Sequence, residues 1–219
     1  MSDDAKQVLT TDQVHDRAPV GWREVHGMLR TRLTTGDFAA SLELVNRIAS
    51  AADEADHHPD IDLRYGWVGL GLVSHDVGGI TSRDIELAGT IARIADDLEA
   101  EATPHVSTTM TIGIDTADAG AIRGFWAALT GHEPAPDGTL PSPDGQLPEI
   151  WFQESEHREG RDRIHLDVYV PRDLARQRVD AVVAAGGRLV TDDFAPSWWV
   201  LADADGNVAC VCTSESLPS

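Results

Sequence analysis

Three histidines stand within a 32-residue stretch bounded by a carboxylate at each end: Asp53, the pair His57-His58 followed by Pro59, His75 in Ser-His-Asp, and Asp84. Imidazole gains or loses a proton near neutral pH, so residues of this type and spacing suit proton transfer. Two other uses fit the pair alone. An imidazolium at a helix C-terminus interacts favourably with the helix dipole. Histidines also ligate metals, but adjacent histidines point in different directions and the His-Glu-x-x-His spacing is absent.

Several elements must position these groups. Residues 9–17 read as a short helix capped by Thr10 or Thr11. Residues 22–25 and 29–33 read as strands with His26-Gly27 as the hairpin turn between them. Phe38, Leu42, Val45 and Ile48-Ala49 recur at helical spacing, so a helix runs from Asp37 to about Ala55 with the histidine pair at its end. Pro59 biases His58 to extended backbone. An alternating stretch from Asp62 leads to His75, with Val68, Leu70, Leu72 and Ser74 on one side and Leu63, Tyr65, Trp67 and Gly69 on the other. Gly66, Gly69 and Gly71 suggest a weak or bulged edge. Thr81 or Ser82 caps a second long helix, which Asp84 opens. Residues 102–105 read as a linker.

The second half repeats the order. Residues 107–115 form a strand and 118–129 a helix with Ile122, Phe125-Trp126 and Leu129 on one side. Residues 132–148 hold five prolines and read as loops and short strands. Residues 149–153 form a strand. A strand at 163–170, a helix at 173–185, and strands near 188–193, 197–203 and 208–213 follow, with Asp205-Gly206 as a hairpin turn. The expected architecture is α+β: a four-stranded antiparallel sheet with helices on one face in residues 1–104, then paired βαβββ units in 105–219.

The formal net charge is −20, about −10 in each half. That balance disfavours nucleic acid and anionic membranes, which need concentrated positive charge. No apolar run approaches the length of a membrane span, and the polar, acidic start is unlike a secretory signal. Cys210 and Cys212, the two cysteines, share one strand face and fit reduced thiols in a cytoplasmic protein.

Residues 53–88, DEADHHPDIDLRYGWVGLGLVSHDVGGITSRDIELA, with Gly21-Trp22 and Asp37-Phe38 upstream, resemble the pterin-4a-carbinolamine (4a-hydroxytetrahydrobiopterin) dehydratase family over about residues 8–98. The resemblance implies a hydro-lyase of tetrahydrobiopterin recycling, acting on a pterin hydroxylated at carbon 4a by an aromatic amino acid hydroxylase. It implies His57 and His75 as the acid–base pair, His58 as a catalytic and pterin-lining group, and Asp84 and Asp53 as substrate-binding or orienting carboxylates. It implies no metal or cofactor, and a homo-oligomer. Asp53 stands where the family often has glutamate, Ser74 where threonine is usual, and Trp67 where a polar residue is common, so that face is expected to be covered by another subunit or the second domain.

Residues 107–213 resemble the glyoxalase/bleomycin-resistance family, with the vicinal oxygen chelate fold. The matching features are Phe125-Trp126, RIHLDVYV at 163–170 and WVLADADGN at 199–207. Metal-dependent members place ligands where this chain has Thr111, Gln153 or Glu154, His165 and Cys210. His165 alone suits a metal, so no metal site is expected. Trp151, Trp198 and Trp199 could wall an organic ligand or pack in the core. The alternative to an enzyme is a small-molecule-binding protein whose first domain serves as an oligomerisation module.

Overall fold

The computed structural model describes residues 6–103, 108–143, 145, 147–155, 164–202 and 208–215. The chain divides into two compact units, residues 1–108 and 109–219. Among the described residues, no helix is long and apolar enough to cross a membrane.

The first unit contains β1 (Arg23–Val25), β2 (Met28–Thr34), β3 (Asp60–Arg64) and β4 (Trp67–Leu72), in the order β1-β2-β4-β3. Every pairing in this sheet is antiparallel, and the two-residue β5 (Glu101–Ala102) adds to β2. His26 and Gly27 both take positive φ between β1 and β2, the geometry of a tight hairpin turn. Helices α1 (Thr11–Arg17), α2 (Phe38–Ala55) and α3 (Ser82–Asp97) supply Val14, Leu44, Ile48, Leu87 and Ile91 to one core. Leu29, Leu33, Val68, Leu70 and Leu72 meet them from a single face of the sheet. The α+β architecture with helices on one face is therefore present.

Three expectations need correction. The stretch from Asp62 is two strands: Tyr65 and Gly66 break it into a hairpin, with Gly66 at φ +76°. Its glycine-rich half, β4, is a central strand paired on both sides, not an edge. The glycines there make room for neighbours. A Cβ at Gly71 would lie 2.5 Å from the Met28 sulfur, and one at Gly69 would lie 3.3 Å from the Trp67 indole. Trp67 in turn carries the Arg32 guanidinium 3.9 Å from its ring centroid, a cation–π contact within its own sheet. The third correction concerns α2. Its buried residues are Ser41, Leu44, Ile48 and Ala52, whereas Phe38 and Leu42 are exposed.

The second unit contains β6 (Thr109–Thr116), α4 (Ala119–Thr130), β7 (Glu149–Glu154), β8 (Ile164–Tyr169), α5 (Ala175–Ala184), β9 (Arg188–Thr191), β10 (Trp198–Ala202) and β11 (Val208–Cys212). A single 3-10 turn, Arg172–Leu174, precedes α5. Its six-stranded sheet runs β7-β6-β8-β11-β10-β9. First and last strands of each repeat pair in parallel, β6 with β7 and β8 with β11, and β6 joins β8 antiparallel. The second repeat is a full βαβββ. The first shows β6, α4 and β7, with Leu140 bridged to Ile150. Ile114, Leu140 and Ile150 form one core, and Val170, Val179, Trp199, Leu201 and Val211 another. The expected linker at Pro104-His105, the Arg163 strand start and the Asp205-Gly206 turn lie outside the described residues, as do the side chains of Phe125 and Leu129.

Candidate active site

The end of α2 aims His57. Asp56 adopts the left-handed conformation, φ 48° and ψ 40°. The His57 amide then donates back to the Ala52 carbonyl at 3.2 Å and the Asp56 amide to Asp53 at 3.3 Å. These two bonds form a Schellman turn, which satisfies helix carbonyls and reverses the chain. The imidazole lands against α3. His57 Nε2 lies 2.7 Å from Asp84 Oδ1, with side-chain exposures of 10% and 0%.

Asp84 serves two structures at once. It is the third residue of a capping box: the Thr81 amide donates to Asp84 Oδ2 at 2.7 Å and the Thr81 hydroxyl accepts from the Arg83 amide. That arrangement closes the first turn of α3. The same Oδ2 accepts the Ser74 hydroxyl at 2.7 Å and the Thr81 hydroxyl at 3.2 Å. Burial by itself would raise the proton affinity of this carboxyl. Hydrogen bonds from His57, the Thr81 amide and Ser74 outweigh it, so Asp84 sits below the ordinary aspartate range and is ionised at neutral pH. An ionised carboxylate only accepts, so the His57 proton resides on Nε2 and Nδ1 is free to take or give a proton.

His75 follows Ser74 at the end of β4 and is exposed. Ser74 anchors its loop. The Ser74 amide donates to the Gly79 carbonyl, and the Ser74 carbonyl accepts from Val77 and Gly78. The next residue, Asp76, accepts from Arg83 at 2.6 Å and lies 3.6 Å from Lys6. The Arg83 hydrogen bond holds Asp76 below the usual carboxylate range. Thus the structure joins His57 to Asp84, and Asp84 to the base of the His75 loop. Asp53 is not part of this group. It pairs with His58 Nε2 at 3.0 Å, on a surface where the two side chains are 80% and 62% exposed. Ser74 and Thr81 complete this group, and the Thr-x-x-Asp capping box at 81–84 is the visible sequence signal for Thr81.

In the second unit, His165, Asp167 and Tyr169 of β8 point to the sheet face opposite the helical cores. His165 Nε2 is 3.7 Å from Asp167, its Nδ1 is 4.0 Å from Asp115, and its ring meets Trp151 edge-on at 5.4 Å. A Cβ at Gly113 would lie 2.6 Å from the His165 ring, so the glycine houses the imidazole. Burial raises Asp167, while His165, the two thiols and the Trp151 indole counteract it. Cys212 is pushed far up by a hydrogen bond with the Cys210 sulfur and by burial, so it stays a thiol. Among the described residues, no group of three or more His, Cys, Asp or Glu could hold a metal ion. Of the three tryptophans considered above, Trp199 belongs to a core and Trp151 to this polar face, while Trp198 stacks on Phe194.

Residues 6–94 match the family model for pterin 4 alpha carbinolamine dehydratase, and residues 111–212 the model for a glyoxalase-like domain. A protein of Mycolicibacterium smegmatis, named as a candidate pterin-4-alpha-carbinolamine dehydratase, is 42% identical over 92 residues, covering 41% of this chain and 98% of that protein. Among solved structures, a transcriptional coactivator/pterin dehydratase from Brucella melitensis aligns with TM-score 0.39 and 27% identity, over 41% of this chain and 99% of the other. A glyoxalase/bleomycin resistance protein/dioxygenase superfamily member from Vibrio splendidus aligns with TM-score 0.33 and 14% identity, over 49% and 99%.

Proposed function

The chain belongs, through residues 6–94, to the pterin 4 alpha carbinolamine dehydratase family, and from that premise we propose that its first unit dehydrates a 4a-hydroxytetrahydropterin. The C4a–O bond breaks and the oxygen leaves as water after protonation. The neighbouring ring nitrogen loses its proton, and its electrons form the C=N bond of the quinonoid dihydropterin. Hydroxide is a poor leaving group, so one group must act as acid while another acts as base. His57 and His75 fill these roles, with His58 and Asp53 lining the pterin and Asp84 orienting His57. The substrate is the product of an aromatic amino acid hydroxylase, and the enzyme works in the cytoplasm as a homo-oligomer.

The observation that carries this reading is the Asp84–His57 pair. A 2.7 Å bond to a buried, ionised carboxylate leaves Nδ1 as the working atom of a nearly buried imidazole. Residues 109–219 act as an accessory ligand-binding unit, for which the polar face around His165, Asp167 and Trp151 is the support.

The test is to generate the 4a-hydroxypterin in situ with a hydroxylase and to follow its dehydration. Wild type should exceed the uncatalysed rate, and His57→Ala and His75→Ala should each lose roughly 10²–10⁴-fold. A wild-type rate equal to the uncatalysed one would leave the oligomerisation-module reading. Full activity in both variants would remove these histidines from the mechanism.

A further inference from the structure

We propose that Ser74 is a positioning residue: its buried hydroxyl ties the His75 loop to Asp84 and holds that carboxylate as the acceptor that keeps the His57 proton on Nε2. This rests on the dehydratase reading. Ser74 is 1% exposed and Asp84 0%. The two residues bond at 2.7 Å across ten positions of sequence. The Ser74 backbone simultaneously closes the loop at Gly79 and accepts from Val77 and Gly78. A single residue therefore fixes the loop that carries one imidazole and the carboxylate that orients the other.

The division of oxygens on Asp84 makes the role specific. Oδ2 receives the Thr81 amide and the Ser74 hydroxyl, while Oδ1 is left for His57. The Thr81 hydroxyl lies 2.9 Å from Ser74 Oγ and 3.2 Å from Oδ2. With one hydrogen it serves Ser74 or Asp84 but not both. Without Ser74, Oδ2 loses its one short side-chain donor. Hydrogen bonds to a buried ionised group are among the strong ones. The carboxylate would then bind a proton more readily, and a protonated Asp84 no longer accepts from Nε2. His57 is the titratable neighbour that acts on Asp84 directly. Arg83 contacts the Thr81 hydroxyl and is engaged by Asp76, which also meets Lys6.

Ser74→Ala, Ser74→Thr and Ser74→Cys test this in the full-length protein. Alanine removes the donor, threonine keeps it, and cysteine keeps the volume with only a weak donor. For Ser74→Ala we expect kcat to fall about 10- to 100-fold, with KM changed less than about 2-fold. The acidic limb of the pH–rate profile should rise by about one pH unit. Ser74→Thr should restore both, and Ser74→Cys should behave as alanine does. Loss of folded protein alone would lower the amplitude of the profile and leave its acidic limb in place. Nitrogen NMR of His57, assigned by its loss in His57→Ala, reads the same idea without turnover: the Nε2–H tautomer should dominate in wild type and mix in Ser74→Ala. If the limb and the His57 signals stay put in both the alanine and cysteine variants, Ser74 has no positioning role. If wild type fails to dehydrate the pterin, the functional reading falls, and the His57 signals still decide the role of Ser74.

Discussion

The two carboxylate oxygens of Asp84 face different partners, and this asymmetry sets what a substitution does. Asp84→Asn keeps an acceptor for the Thr81 amide and Ser74 but presents N–H to His57. The ring must then accept at Nε2 and carry its proton on Nδ1, the reverse of the wild-type tautomer. We expect a loss of about 10²–10⁴-fold in kcat from the wrong tautomer, with the variant still folded by circular dichroism. Stability should follow a defined pH course. The folded-state affinity of Asp84 for protons is depressed, so its contribution is fully present above the unfolded aspartate value, near pH ~4, and is lost as pH falls through the lower folded value. Urea midpoints of wild type and Asp84→Asn should therefore differ by a constant amount at neutral pH and converge below about pH 4. A constant gap down to pH 2 would mean that Asp84 is not a charged acceptor in the folded protein.

At the scale of elements, α2 is a scaffold whose last turn places His57 against Asp84. Asp56 holds the left-handed position of its Schellman turn, where glycine is favoured. A third carboxylate after Asp53 and Glu54 also opposes the helix dipole. Asp56→Gly should stabilise the protein by about 0.5–1 kcal/mol, read as a raised urea midpoint with unchanged slope; a lowered midpoint would show that the Asp56 side chain contributes a contact. Sequence spacing located this helix, its histidine pair and the capped start of α3, because those follow local rules. It rotated the buried face of α2 toward Phe38 and Leu42. The true face includes Ser41, whose hydroxyl is satisfied by the Asp37 carbonyl and Thr35, and hydropathy cannot register a polar residue that is paired inside. Unbroken alternation across Tyr65-Gly66 would set Leu63 and Val68 on opposite faces, whereas the hairpin reverses the chain and pairs them on the core face. The partner of His57 stays open in the sequence between Asp53, one helical turn back, and Asp84, 27 residues away; the fold pairs Asp84 with His57 and Asp53 with His58.

At the scale of the whole molecule, the two units have separate sheets and separate cores, and each contains a glycine whose replacement should act locally. Gly21, at φ +90°, would place a Cβ 2.4 Å from that of Ala102. Alanine there combines backbone strain with a collision against β5, which pairs with the end of β2. A loss of about 2 kcal/mol is expected. Gly113→Ala would drive a methyl into the His165 ring and toward Trp151, a disturbance confined to the polar face of the second sheet. Hydrogen exchange followed by mass spectrometry separates the two effects, because protection reports local opening. Gly21→Ala should lower protection in peptides from residues 6–103 and leave those from 109–215 unchanged. Gly113→Ala should do the reverse and, on the proposed function, keep the dehydration rate within about 2-fold, since its strain falls on groups outside the His57–Asp84 site. Equal loss of protection in both regions from either variant would show one cooperative body, and the second unit would then be a structural support of the dehydratase site.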